Sequence, residues 1–191
     1  MNYHNITKDD MLNGDGLRTV LWVAGCSHHC PECQNPITWD ANGGILFDEA
    51  AKQELFAELE KDYVAGITFS GGDPLNEANV ETLLSLAKEI KEKFPNKTMW
   101  IYSGYTWEEI KGAFEESKKC LQAKWKYPAI TRWELVSICD VFCDGRYVKE
   151  CRDVNKPWVG SDNQRVIDVQ KSVNEGTICL HGDTKDDFER E

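Results

Sequence analysis

The residues with the clearest chemistry are three cysteines on one short segment, Cys26, Cys30 and Cys33, spaced Cys-x3-Cys-x2-Cys. Thiolates at this spacing can each bind one iron of a four-iron cluster, a group that normally takes four cysteine ligands. Three ligands leave one iron with an open position, which is typical of a catalytic metal site. The spacing therefore predicts a [4Fe–4S] cluster that a substrate can reach.

Other metal sites are compatible with the same residues. Zinc could bind the three thiolates together with His28 or His29, and a distant cysteine could close a structural four-cysteine cluster. The chain has five further cysteines: Cys120, Cys139, Cys143, Cys151 and Cys179. A second cluster could use Cys139, Cys143 and Cys151, although thiols on an apolar run often serve as small buried side chains.

A glycine-rich turn, residues 70–74 (SGGDP), is the second candidate site. Gly71 and Gly72 permit positive φ angles and the close approach of a ligand. Their backbone groups could pair with the ammonium or carboxylate of an amino-acid ligand, and Asp73 could accept from the ammonium. A structural strand-to-helix turn has a similar composition. The functional interpretation therefore depends on the position of the turn, one crossover after the cysteines.

Alternating strands and helices are predicted to position both segments. Apolar runs predict strands at residues 17–24, 66–70, 98–103, 138–143 and 164–169. Helical spacing predicts helices that begin after residue 48, cover 80–94 and cover 107–118, with a connector and a short helix over 119–133. This order indicates an α/β fold with a parallel sheet and helices outside it. Both motifs follow strand carboxyl ends, where function collects in such sheets.

Length and composition indicate one soluble domain. The chain has 191 residues, 41% apolar and 29% charged, and a net charge of −11. That charge argues against a nucleic-acid partner, which would need a basic face. No apolar run approaches the roughly 20 residues that span a bilayer, and the N-terminus lacks the pattern of a signal peptide. We therefore expect a cytoplasmic protein with reduced thiols, a single domain over 1–170, and a C-terminal extension over 171–191 with an acidic, flexible tail.

These motifs together resemble the radical S-adenosylmethionine superfamily, which combines Cys-x3-Cys-x2-Cys with a Gly-Gly-(Glu/Asp)-Pro turn. Residues 13–19 (NGDGLRT), the pair Gly25-Cys26 and residues 33–35 (CQN) resemble the glycyl-radical-enzyme activases in particular. Residues 70–75 and 144–146, with 160–166, resemble the group of activases that act on anaerobic ribonucleoside-triphosphate reductase. The similarity covers about residues 1–110 and 138–168. Glu32 stands where many members carry an aromatic residue.

The resemblance implies a partial (β/α) barrel and a set of site residues. Cys26, Cys30 and Cys33 would bind the [4Fe–4S] cluster, whose fourth position would take the amino and carboxylate groups of S-adenosylmethionine. The methionine part would lie against the turn, and the nucleoside against the cysteine segment. The implied cofactor contacts are Glu32, Cys33, Gln34, Gly71, Gly72, Asp73 and Arg165.

The resemblance also implies the reaction and the partners. One electron from a flavodoxin-like carrier would cleave S-adenosylmethionine to methionine and a 5′-deoxyadenosyl radical. That radical would abstract hydrogen from a backbone glycine of anaerobic ribonucleoside-triphosphate reductase. Two alternatives remain open: an activase of another glycyl-radical enzyme, such as pyruvate formate-lyase, and a non-enzymatic module that holds zinc or a closed cluster. The oligomeric state is open and allows a homodimer.

Overall fold

The computed structural model describes residues 1–119 and 123–182, with side chains at 1–119 and 128–182. The strands in chain order are β1 (Asn2–Asp10), β2 (Leu17–Val23), β3 (Ile45–Leu46), β4 (Val64–Gly71), β5 (Thr98–Tyr102), β6 (Val141–Asp144) and β7 (Arg165–Asp168). They form one open sheet in the order β3-β1-β2-β4-β5-β6-β7. The α/β class is therefore confirmed.

The sheet is mixed, so the expectation of a parallel sheet is only partly correct. Strands β2, β4, β5 and β6 are parallel neighbours, whereas β1, β3 and β7 run antiparallel to the strands they pair with. Antiparallel β1 was not predicted because only Tyr3 and Ile6 of its nine residues are buried. Its polar sequence lacks the apolar run that marks a buried strand.

The α-helices are α1 (Glu49–Leu59), α2 (Val80–Lys93), α3 (Trp107–Lys119), α4 (Ala123–Ile138) and α5 (Val169–Glu175). The first four lie between parallel strands in the chain, whereas α5 follows the last strand. Helix α1 begins as predicted, because the Asp48 side chain accepts a hydrogen bond from the Ala51 N–H. A connector and a short helix were predicted over 119–133; a helix is present there, but α4 begins at Ala123 and continues to Ile138, so it is longer than predicted and leaves little of the connector. That helix also displaces the start of the predicted fourth strand to Val141. None of the described helices is long and apolar enough to cross a bilayer.

The two faces of the sheet differ, and this difference positions the site. One face carries Ile67, Phe69 and Ile101 into the main core, which all five helices help to form. The opposite face carries Trp100, Val141 and Cys143 into a smaller cluster with Val159 and Val166. Alternation of side chains along each strand produces this division. The second face is covered by a loop after β6, not by a helix, so it is the face on which a ligand cavity can form.

The chain after residue 168 continues along the edge of the sheet. Helix α5 starts at an Asp168 side-chain cap, and the Cys179 carbonyl then accepts from the Asp168 N–H. The His181 imidazole lies 2.7 Å from Asp15 and packs edge-on against Trp100. The expected acidic tail, residues 183–191, lies outside the described residues.

Candidate metal centre

The cysteine loop follows β2 directly and is held at both ends. The Gly25 N–H donates to the Thr38 carbonyl (2.8 Å), and the Cys26 N–H donates to the Trp39 carbonyl (3.0 Å). Between these points His29 and Glu32 adopt positive φ angles of 47° and 57°. Non-glycine residues seldom adopt this backbone conformation, which costs free energy that the surrounding contacts must offset. The surrounding contacts therefore hold the loop in one specific backbone conformation.

All three thiols of this loop are half-buried and face backbone N–H groups. The Asn35 N–H donates to Cys33 Sγ at 3.4 Å. Burial raises the pKa of Cys26 and of Cys30. N–H groups of the loop oppose that rise in the pKa of Cys26, and the Tyr147 N–H opposes it for Cys30. Such N–H groups stabilise thiolates and tune iron–sulfur clusters, so the loop is built for ligands that lose their protons to a metal.

The glycine turn follows β4 and touches the cysteine loop through backbone atoms. The Gly72 N–H donates to the Val23 carbonyl and the Asp73 N–H to the Gly25 carbonyl, both at 2.8 Å. A Cβ on Gly72 would lie 2.6 Å from the Gly25 oxygen, and one on Gly71, where φ is +100°, would lie 2.9 Å from the Trp22 backbone. The glycines thus let two chain segments pass in contact, and the two N–H groups are already engaged within the protein.

Asp73 itself is buried, with 1% of its surface exposed. Its Oδ1 accepts from the Leu75 N–H and from the Ser103 hydroxyl, both at 2.8 Å. Its Oδ2 lies 2.5 Å from Nε2 of His28, which comes from the cysteine loop. The His28 Nδ1 in turn accepts from Nε of Arg146 at 3.0 Å. These contacts join the cysteine loop, the glycine turn and the ends of β5 and β6.

Two adjoining cavities meet at the cysteines. The first is lined by all three cysteines, Gly71, Gly72 and Asp73, together with groups from the ends of β5 and β6. The second shares Cys30 and Cys33 with it and extends over the face without helices towards Gln34, Tyr147 and Trp158. Six of the nine residues that were singled out from sequence as cluster or cofactor contacts line the first cavity: Cys26, Cys30, Cys33, Gly71, Gly72 and Asp73.

The other predicted contacts lie elsewhere or point away. Gln34 lines the second cavity. The Glu32 carboxylate is exposed and pairs with Lys149. Arg165 lines neither cavity, because its guanidinium makes a bidentate contact with Glu108 (2.9 and 2.7 Å) and bonds to Asp144. Its contact with the cofactor stays a prediction.

Sequence reasoning missed several residues that the fold brings to the cysteines: His28, Tyr102, Ser103, Arg146 and Tyr147. Four of them stand at or just after the carboxyl ends of β5 and β6. Position after a parallel strand is the signal that could have found those four. His28 was considered from sequence only as a loop residue or a zinc ligand, because its partners in the structure are 45 and 118 residues away in sequence.

The remaining cysteines do not gather into a second centre in the part of the chain that the structure describes. Cys139 and Cys143 are buried, and burial raises the pKa of both. Cys151 is exposed, and Cys120 lies outside the described residues. Over residues 1–119 and 128–182, no three histidine, cysteine, aspartate or glutamate side chains are grouped as a metal-ion site.

The first cavity fits an iron–sulfur group with a bound polar ligand. Its soft thiol donors are the ligands that iron–sulfur clusters take. One buried polar atom on its wall, Nε1 of Trp39, has no hydrogen bond among the described residues, and the Tyr102 hydroxyl faces the Cys143 thiol, which is only a weak partner. Burial also raises the pKa of Tyr102, so its hydroxyl stays protonated. Unpartnered buried donors are uncommon in folded proteins, and a bound group explains them.

Comparison with known proteins agrees with this geometry. A family model described as a 4Fe-4S single cluster domain matches residues 12–167. The cysteine loop, the glycine turn and the strands that carry them all fall within the matched residues.

Individual relatives share one description, anaerobic ribonucleoside-triphosphate reductase-activating protein. The relative from Enterobacteria phage T4 is 39% identical over 166 residues, which covers 87% of this chain and 93% of the relative. Those from Escherichia coli (strain K12) and Haemophilus influenzae are 34% and 35% identical, over 87% and 86% of this chain and 97% and 96% of theirs. The chain therefore belongs to the 4Fe-4S single cluster domain family and, within it, to the family of these activating proteins.

Proposed function

We propose that this chain is the activating enzyme of an anaerobic ribonucleoside-triphosphate reductase and generates a glycyl radical on it. The main support for this proposal is that three thiols and a two-glycine turn line one cavity, at the carboxyl ends of β2 and β4. Relatives of nearly the same length bear the name of this activity. In this proposal the open sheet is the partial barrel of the radical S-adenosylmethionine superfamily.

Cys26, Cys30 and Cys33 are the proposed ligands of a [4Fe–4S] cluster, and S-adenosylmethionine is the proposed second cofactor. When bound, the reduced cluster supplies the electron that cleaves the sulfonium and yields the radical that takes hydrogen from a glycine. The N–H groups of Gly72 and Asp73 are engaged with β2 and its following loop. These two N–H groups are therefore not free to donate to the carboxylate of an amino-acid ligand.

The second cavity supports a role for the face without helices in binding. It runs from Cys30 and Cys33 towards Tyr147 and Trp158, and its wall combines aromatic rings with the amide of Gln34. Such a surface suits the nucleoside of S-adenosylmethionine next to the cluster, because aromatic rings stack with bases and amides hydrogen-bond to them. The protein thus binds and orients the cofactor.

The proposed partners are the glycyl-radical subunit of the reductase and a flavodoxin-like electron donor. A homodimer of this chain is compatible with the proposal. We keep the cytoplasm as the proposed location. The seven described cysteines are all free thiols, which agrees with a reducing compartment.

Anaerobic reconstitution tests this proposal. The loaded protein should carry about four irons per chain and, with a reductant, should convert S-adenosylmethionine to 5′-deoxyadenosine. Cys30→Ala should lose the cluster and the product together, whereas Cys151→Ala, which changes an exposed thiol, should keep both. Full iron loading without 5′-deoxyadenosine would contradict the radical chemistry, and a Cys30→Ala protein with a complete cluster would contradict the ligand assignment.

A further inference from the structure

His28 lies inside the cysteine loop but is not free like its neighbours. Only 5% of its side chain is exposed, although Ser27 and His29 on either side are exposed. Its ring packs edge-on against Tyr105 with centroids 4.7 Å apart. A Cβ on Gly104 would lie 2.4 Å from the same ring. The end of β5 therefore leaves a slot that the imidazole fills.

The hydrogen bonds of His28 assign its tautomer. Arg146 Nε–H can only donate, so Nδ1 of His28 must accept and carries no proton. The ring proton therefore sits on Nε2 and is donated to Oδ2 of Asp73. The imidazole is fixed in one orientation from both sides.

Asp73 takes its hydrogen bonds from the protein itself. Oδ1 accepts two, from Leu75 N–H and the Ser103 hydroxyl, and Oδ2 accepts one from His28. With its side chain only 2% exposed, the carboxylate has little surface left for a ligand's ammonium group. This arrangement differs from the expectation that Asp73 accepts from the ammonium of the amino-acid cofactor.

We propose that Asp73 holds the cysteine loop in place through its hydrogen bond with His28, and that His28 is a positioning residue that fixes the positions of Cys26 and Cys30. This inference rests on the proposed function, because it concerns the same cluster. His28 stands between the two cysteines in sequence. Its backbone N–H also faces the Cys26 thiol, so a fixed His28 side chain fixes that N–H against the sulfur.

Outer partners that orient metal ligands change metal affinity about 10- to 100-fold when they are removed. We therefore expect His28→Phe to release iron from the reconstituted protein to a chelator about 10 to 100 times faster than wild type. Phenylalanine keeps a ring in the slot beside Gly104 but donates no hydrogen bond to Asp73.

His28→Gln is the conservative variant that separates hydrogen bonding from packing. The glutamine amide N–H reaches the place of Nε2 and can donate to Asp73, so iron release should return to within about threefold of wild type. The matched control is Ser27→Ala, which changes the exposed residue that precedes His28 and leaves both histidine rings of the loop in place. It should release iron at the wild-type rate.

Asp73→Asn tests the other end of the contact. Arg146 keeps the proton of His28 on Nε2, so the amide N–H of an asparagine would face another N–H. This variant should release iron as fast as His28→Phe. If His28→Phe does not fold, the Asp73→Asn and His28→Gln results decide between the outcomes.

Each experiment measures iron release to a chelator and the EPR spectrum of the reduced cluster. A changed spectrum in His28→Phe and Asp73→Asn, restored in His28→Gln, supports the positioning role. Wild-type iron release in both His28→Phe and Asp73→Asn overturns it, as does a His28→Gln protein that behaves like His28→Phe. A wild-type protein that binds no iron would instead refute the proposed function.

Discussion

Replacing Gly72 with alanine tests the backbone contact on which the site depends. A Cβ at this position would lie 2.6 Å from the Gly25 carbonyl oxygen and 3.0 Å from the Gly25 nitrogen, whereas ordinary contact begins at 3.4 Å. Because these are backbone atoms, no side-chain rotation can relieve the overlap. The glycine turn and the cysteine loop must therefore separate by about 0.8 Å.

That separation strains two hydrogen bonds as well as the packing. The Gly72 N–H to Val23 and the Asp73 N–H to Gly25 bonds, each 2.8 Å, cross the same gap. Overpacking of a close contact costs about 1–3 kcal/mol, and we expect the free energy of unfolding of the metal-free protein to fall by about this amount. Iron uptake should fall too, because Cys26 directly follows Gly25.

Urea unfolding under anaerobic, reducing conditions measures the stability change, and iron analysis after reconstitution measures cluster uptake. Gly112→Ala is the control, because a Cβ on this residue of α3 meets nothing within 4 Å. That variant should gain about 0.5–1 kcal/mol of stability, since glycine disfavours the helix interior. A Gly72→Ala protein within about 0.5 kcal/mol of wild type, with full iron uptake, would refute the reasoning.

Two further predictions concern groups around the site. Arg165 lowers the pKa of Glu108 to about 2 in the folded protein, from an ordinary 4.5; this stabilisation is complete above pH 4.5 and is lost as the pH falls towards 2. The free energy of unfolding of Glu108→Gln should therefore fall less steeply than that of wild type as the pH is lowered over that range. The two proteins should differ by less than about 1 kcal/mol in this pH-dependent loss, because the group is largely exposed. Identical slopes of unfolding free energy against pH would contradict the assignment. Tyr102→Phe should leave the metal-free protein as stable as wild type or up to about 1 kcal/mol more stable, because it removes a buried hydroxyl that faces only the weakly hydrogen-bonding thiol of Cys143. Calorimetric titration of the loaded protein should show weaker binding of S-adenosylmethionine to Tyr102→Phe, and unchanged binding would contradict a contact with the hydroxyl.

The parallel strands were predictable because their continuous apolar sequences indicate burial on both faces of the sheet. The strands around Ile67 and Ile101 are short continuous apolar runs, and the turn residues after them are glycine, proline or serine. The antiparallel strand β1 is mostly polar and lies near the sheet edge, so its pairing depends on β2 and β3. Helix α4 contains Pro128, which disfavours a helix interior and hid the element from pattern reasoning.

The candidate site shows a similar division. Cysteine spacing and the glycine turn identified the first cavity from local sequence alone. The roles of Asp73 and His28 could not be predicted, because each depends on partners that only the fold brings near, from Ser103 to Arg146. The partners of Arg165 could not be predicted either, because its guanidinium donates hydrogen bonds to Glu108 and Asp144, which only the fold brings near. A side chain's chemistry is visible in sequence, but the competition for its hydrogen bonds is not.

The most direct test of the central proposal is glycyl-radical formation on a partner protein. Reconstituted wild-type protein, S-adenosylmethionine and a reductant are mixed anaerobically with an anaerobic ribonucleoside-triphosphate reductase or, in a parallel sample, with pyruvate formate-lyase. The account predicts a glycyl-radical EPR signal on the reductase only, absent when Cys30→Ala replaces the wild type. A signal on pyruvate formate-lyase alone, or no signal on the reductase from fully loaded protein, would contradict it.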